Sequence, residues 1–162
     1  MKITKRYLPK KLTKKDRKKQ SAMLKKSRRL YKKGIYYTRK PVKSYQTKKS
    51  THIRDAERIY NIKKMKVGPE LVKKTGCSRE ALEKIVEKGE GAYYSSGSRP
   101  NQTAQSWGLA RLASSITSGK AAAVDYSILE KGCRPNSKAL KLAKQSRKKN
   151  GYGQRHVPKT EL

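Results

Sequence analysis

Charge is segregated along this chain, and the segregation limits which parts of it can pack. Residues 1–66 hold 26 Lys or Arg against 3 Asp or Glu, residues 134–162 hold 9 against 1, and residues 67–133 hold 9 against 7. The middle is therefore the long stretch where like charges oppose collapse least, and +31 of the formal +33 lies outside it. Within it, Gly89 to Cys133 carries the single tryptophan, which predicts a packed centre there. At this size a single core gives only marginal stability without staples or partners.

Composition excludes several classes. Phe is absent, and ten Tyr supply most of the aromatic surface, an inventory suited to contact faces because the ring is apolar and the hydroxyl polar. Cys77 and Cys133 have no metal-ligand spacing and form no C-x-x-C pair. They read as reduced thiols buried as small hydrophobes in an intracellular protein. No apolar run approaches the roughly 18 residues needed to span a bilayer, and MKITKRYLPKK lacks the apolar segment of a signal peptide. The expectation is a soluble, unsecreted protein made in cytoplasm or nucleus.

Read in order, residues 1–12 predict an extended basic arm. Thr13 with Asp16 resembles a capping box for a helix running to Gly34. Its apolar stripe of Met23, Leu24, Leu30 and Tyr31 is narrow, so the helix needs a partner to hold it. IYYTRKPVKSYQTKKS, broken by Pro41, predicts an edge strand or extended arm. Ser50 or Thr51 starts a short helix, Pro69 begins another that ends at Gly76, and Ser78 caps a third ending at Gly89. The helices either side of Gly76 outline a helix-turn-helix, but three glutamates on the second favour packing over groove reading. Thr103 caps the clearest amphipathic helix, AQSWGLARLASSITSG, in which Gly108 permits close approach of another element. Lys120 to Val124 reads as a short strand, and Ser137 caps a last helix ending at Asn150-Gly151. The sum is a mainly α fold: a basic arm with partner-dependent helices over 1–66, a small helical or α+β body over 67–145, and a basic polar tail over 146–162.

Chemistry is sparse. In 95–103, SSGSRPNQT, small residues, Arg99 and the helix start at Thr103 suit an anion, although the spacing is not that of a Walker loop. Lys120, Lys14, Lys15, Arg17, Lys18, Lys19, Arg28 and Arg29 are further candidates for anion or partner contact. Tyr93, Tyr94, Trp107, Leu112 and Ile116 are the candidate packing anchors. His52 and His156 lie in the basic flanks with no nucleophile motif beside them, and Asp125, Glu130 and Glu90 read as caps and surface rather than metal ligands. No catalytic residue, metal or cofactor is assigned, and the chain reads as a non-enzyme.

GAYYSSGSRPNQTAQSWGLARLASSITSGKAAAVD, Gly91 to Asp125, resembles a small domain of open function encoded by large double-stranded DNA viruses of algae and protists, with shorter relatives in tailed phages. LTKKDRKKQ, YKKGIYYTRKPVKSY and KKTGCSREALEKIVEKG extend the similarity over most of the chain. The resemblance implies a virion protein, made in the host cytoplasm or nucleus, with no catalytic residues to transfer. The leading expectation is a minor capsid or internal cement component whose arms bind capsid subunits. The alternative is a virion protein that binds or condenses nucleic acid without reading its sequence.

Overall fold

Strand β1 (Lys2–Thr4) pairs antiparallel with β2 (Lys159–Glu161), in the register Lys2 to Glu161, Ile3 to Thr160 and Thr4 to Lys159. Between them the computed structural model, which describes residues 1–153 and 157–162, is helical: α1 (Lys14–Tyr31), α2 (Thr51–Ile59), α3 (Pro69–Thr75), α4 (Arg79–Ser95), α5 (Ala104–Ser115), α6 (Lys120–Val124), α7 (Tyr126–Gly132) and α8 (Lys138–Asn150). The chain forms two compact units. One takes Met1–Lys48, Glu90–Trp107 and residues 157–162, and the other takes Lys49–Gly89 and residues 108–153. Helices α4 and α5 each supply residues to both.

The first unit replaces the expected arm. Ile3, Tyr7, Leu8 and Leu12 are buried with Met23, Leu24 and Val42, and Trp107 and Leu162 pack at the edge of the cluster. Four apolar residues in twelve are enough to fold this segment once α1 supplies a facing stripe, whatever its charge. Along α1 the buried positions are Gln20, Met23, Leu24 and Ser27, one helical face; Tyr31, expected on the stripe, is exposed. Thr13 caps the helix as expected, its Oγ1 accepting from the Asp16 N–H at 3.2 Å. Asp16 does not close the box but turns to the 35–48 segment, accepting the Ser44 N–H at 2.8 Å. Residues 35–48 contain no strand. Asn101 does the work of a neighbouring strand there: its Oδ1 accepts from the Val42 N–H at 2.7 Å, and its Nδ2 donates to the carbonyls of Val42 (3.2 Å) and Tyr45 (3.0 Å).

The expected tail is also structured in part. Its first residues complete α8, its last form β2, and residues 154–156 of it lie outside the described residues.

The second unit draws Ala56, Tyr60, Ile62 and Met65 into one core with Leu82, Ile85, Leu112, Ile116, Leu129 and Leu140, so residues 49–66 belong to a body rather than to an arm. Pro69 opens α3 and Gly76, at φ 77°, stops it, as the sequence predicts. The Ser78 hydroxyl accepts from the Ala81 N–H at 3.1 Å, the expected cap of α4. That helix then runs through Gly89 and Gly91 instead of stopping. Gly89 faces Gly108 so closely that a Cβ on Gly89 would lie 2.6 Å from the Gly108 Cα. This glycine pair sets a distance of approach, which a stop signal and a close contact leave indistinguishable in sequence. Lys120 to Val124 is α6, not a strand, in keeping with the helix propensity of its three alanines.

Cys77 and Cys133 are joined in a disulfide, where reduced thiols were expected. Both are buried. They face each other across a two-residue antiparallel bridge, flanked by hydrogen bonds from the Ser78 N–H to the Gly132 carbonyl (2.7 Å) and from the Arg134 N–H to the Gly76 carbonyl (2.9 Å). Spacing of 56 residues gives no hint of that bridge.

Candidate nucleic-acid interface

An 18-residue helix with one buried stripe must send its other side chains to solvent, and in α1 those are almost all cations. Lys14, Lys15, Lys18, Lys19, Lys25, Lys26 and Arg29 are exposed, followed by Lys32 and Lys33. No carboxylate occurs between Arg17 and Arg54. Lys19 donates to the Pro41 carbonyl at 3.2 Å. Two other candidates face their own chain. Arg17 donates to the carbonyls of Leu8 (3.0 Å) and Pro9 (3.4 Å), and Arg28 to those of Ser96 (3.0 Å) and Lys2 (3.4 Å). They brace the first unit, leaving the lysines as its outward charge.

The loop at 95–103 is organised around a cation of the chain itself. Arg39 is buried, its Nη1 donating to the Ser27 Oγ (2.8 Å) and the Tyr93 carbonyl (2.9 Å), and its Nη2 to the Ser98 Oγ (2.8 Å). Its guanidinium lies 3.8 Å from the Tyr93 ring centroid. Burial disfavours the charged form, and the tyrosines around it act in the opposite sense. The same burial raises the Tyr93 hydroxyl against the pull of Arg39. Ser98 also donates to the Arg99 carbonyl at 2.8 Å, while Arg99 itself is exposed. Thr103 caps α5 reciprocally with Ser106: its Oγ1 accepts the Ser106 N–H at 3.1 Å, and the Ser106 hydroxyl accepts the Thr103 N–H at 3.0 Å. The small residues that suggested a cradle for an external anion thus line an internal guanidinium. Nothing local marked Arg39, one of four cations between Lys32 and Lys40, as the buried one.

Of the anchors, Tyr93, Leu112 and Ile116 are fully buried, the last two in the core of the second unit. Trp107 is only partly buried and meets Tyr7 edge to face, with centroids 5.8 Å apart. It belongs to the rim of the first unit and not to a central core. Tyr94 is half-buried and continues a row of rings: Tyr94 to Tyr36 at 5.0 Å, and Tyr36 to Tyr31 at 6.1 Å. Tyr36 is 69% exposed. Lys120, exposed, is the first residue of α6 and belongs to the other unit.

The second unit has a buried charge centre of its own. Asp125 accepts from Arg111 Nε (3.0 Å) and Nη2 (2.8 Å), Lys88 Nζ (2.9 Å) and the Ser115 hydroxyl (3.1 Å). Burial raises its pKa, and the hydrogen bonds and charges of Arg111 and Lys88 outweigh that, holding the carboxyl below its ordinary value. With its oxygens so occupied, Asp125 is a structural counter-ion. Among the described residues, no group of three or more His, Cys, Asp or Glu is placed to hold a metal ion, and no helix is long and apolar enough to cross a membrane.

No curated protein and no solved structure matches the sequence. A family model does, over residues 4–149, a span that takes in α1, the Arg39 loop and both cysteines, and on that match the chain belongs to the Family of unknown function (DUF5824).

Proposed function

We propose that this protein is a non-enzymatic, basic component of a large DNA virus particle that binds nucleic acid through its phosphates without reading sequence. The observation that carries this reading is the outer face of α1, where exposed lysines run from Lys14 to Lys33 and no carboxylate follows Asp16, itself bonded to Ser44. Across the chain 11 carboxylates cannot match 44 Lys and Arg one to one, so the surplus calls for an external polyanion. Lysines on a folded helix supply point charges at fixed spacing. An ammonium is a compact point charge without the planar fork of arginine, so a face made mostly of lysines suits phosphates better than the edges of particular bases.

Duplex affinity measured against salt tests it. Neutralising Lys14, Lys15, Lys18 and Lys25 to Gln is expected to flatten the slope of log affinity on log salt by about 0.9 for each phosphate that is no longer neutralised, equally for unrelated sequences. An unchanged slope removes α1 from the interface.

A second reading, docking on neighbouring virion proteins as a cement component, is favoured by one observation. Arg147 on α8 lies between the rings of Tyr126 (4.4 Å) and Tyr152 (4.7 Å), and Tyr152 is 75% exposed. Tyrosine and arginine of this kind are enriched at protein interfaces. Quantifying the protein in full particles and in particles emptied of DNA separates the two: loss with the DNA supports the first reading, retention in the shell the second.

A further inference from the structure

The row of rings from Tyr31 to Tyr94 has no structural necessity on its outer side. Tyr36 is 69% exposed and Tyr31 37%, and Ile35 between them is 50% exposed. An apolar patch in so polar a chain calls for an occupant. Neighbouring rings are tilted by 37° and 31°, so each covers its neighbour only in part. The inner end of the row is fixed: Tyr94 meets the buried Tyr93 edge to face at 5.1 Å, and Tyr93 is clamped by Arg39 through ring, carbonyl and hydroxyl. Exposed Lys32 and Lys33 lie in the chain between Tyr31 and Tyr36, and Lys26 lies 4.5 Å over the Tyr37 ring.

We propose that this row is a stacking ledge for an unpaired nucleobase, so that a single strand, in preference to a duplex, is the nucleic acid held at this face; the proposal rests on the phosphate-binding reading above. A base offers a flat π-face to the rings while its phosphates meet the flanking lysines, and it does so whatever its identity. A duplex buries those faces in its own stack. An acidic peptide matches the lysines but has no counterpart for the exposed rings.

The test uses the full chain and fluorescence anisotropy with three labelled probes over a range of salt: an oligothymidylate, an abasic strand of the same length, and a duplex. The wild type is expected to bind the oligothymidylate more tightly than the abasic strand. Tyr36→Ala should weaken oligothymidylate binding about tenfold, leaving the other two within about twofold, and Tyr36→Trp should restore it. Because Tyr36 is largely exposed, equal thermal midpoints for the variants will show that the fold is kept. Equal wild-type affinity for the oligothymidylate and the abasic strand, or no effect of Tyr36→Ala, overturns the ledge and leaves the phosphate reading standing. Failure to bind any probe in a salt-dependent way overturns both. Tighter binding to polyglutamate than to any strand assigns the face to an acidic protein and overturns the ledge too.

Discussion

The Arg39 guanidinium packs 3.8 Å from the Tyr93 ring centroid, while the Tyr93 hydroxyl accepts the backbone N–H of the same arginine at 2.9 Å. Each residue thereby fixes both ends of the other, and Ser27 and Ser98 complete the enclosure. A buried cation without a carboxylate is tolerated because the ring face, a carbonyl and two hydroxyls replace its hydration.

Arg39→Met keeps length and apolar bulk but leaves these acceptors without their donor. It should destabilise the protein by roughly 2–4 kcal/mol, read by urea unfolding. Arg39→Lys, which retains charge but not the planar fork, should recover less than half of that loss. A loss below about 0.5 kcal/mol for Arg39→Met would show that the network is incidental.

Asp125 makes stability depend on pH in a definite sense. Unfolded, it titrates near 3.8; folded, it titrates lower. The unfolded chain therefore binds more protons in the window between, so the contribution of Asp125 is complete above the unfolded value and is lost as pH falls through the folded one. Asp16 shifts in the same direction, through its hydrogen bonds to Ser44. The share of Asp125 is read by comparing acid unfolding of the wild type with Asp125→Asn. The variant should lose roughly 3–5 kcal/mol at neutral pH, since the cations at Arg111 and Lys88 lose their counter-ion, and its stability should fall less steeply below about pH 4.

Two helical glycines separated by one residue should respond oppositely to the same change. Gly91 has open space where a Cβ would go, so Gly91→Ala should stabilise by about 0.5–1 kcal/mol through helix propensity. At Gly89 the new carbon would meet the Gly108 backbone at 2.6 Å and the Arg111 Cβ at 3.2 Å. Backbone cannot swing aside, so the clash should exceed the propensity gain and Gly89→Ala should lose roughly 1–3 kcal/mol. Thermal unfolding of the two variants decides; shifts of the same sign would refute the close approach.

Breaking the Cys77–Cys133 bond should cost roughly 2–4 kcal/mol. Alkylation and mass measurement without reductant should find both sulfurs blocked. A reductant should expose them and lower the thermal midpoint, an effect absent from a Cys77→Ser, Cys133→Ser double variant.

The sequence made local signals legible and tertiary ones opaque. Thr13, Ser78, Thr103 and Ser137 were identifiable as caps because a cap is decided within four residues, and all four hydroxyls accept the expected N–H. The positive face of α1 was equally plain, since it needs only a run of lysines. What the excess of charge hid was that burial of Ile3, Tyr7, Leu8 and Leu12 suffices to anchor the first twelve residues in the first unit. Trp107 was misplaced for a related reason: the largest apolar ring invites a central position, yet its neighbours are Tyr7 and the rim of the first unit. Arg39, Asn101 and Asp125 were out of reach, because the partners that define them lie between 10 and 59 residues away.

The pairing of β1 with β2 has a consequence for how the first unit closes. Ile3 and its partner Thr160 are separated in sequence by every α-helix of the described residues. Contacts this distant in sequence form slowly, whereas α1 is a local element. The lysines of α1 are therefore on offer to any polyanion before the two strands have met, and binding there competes with the last step of closing the unit.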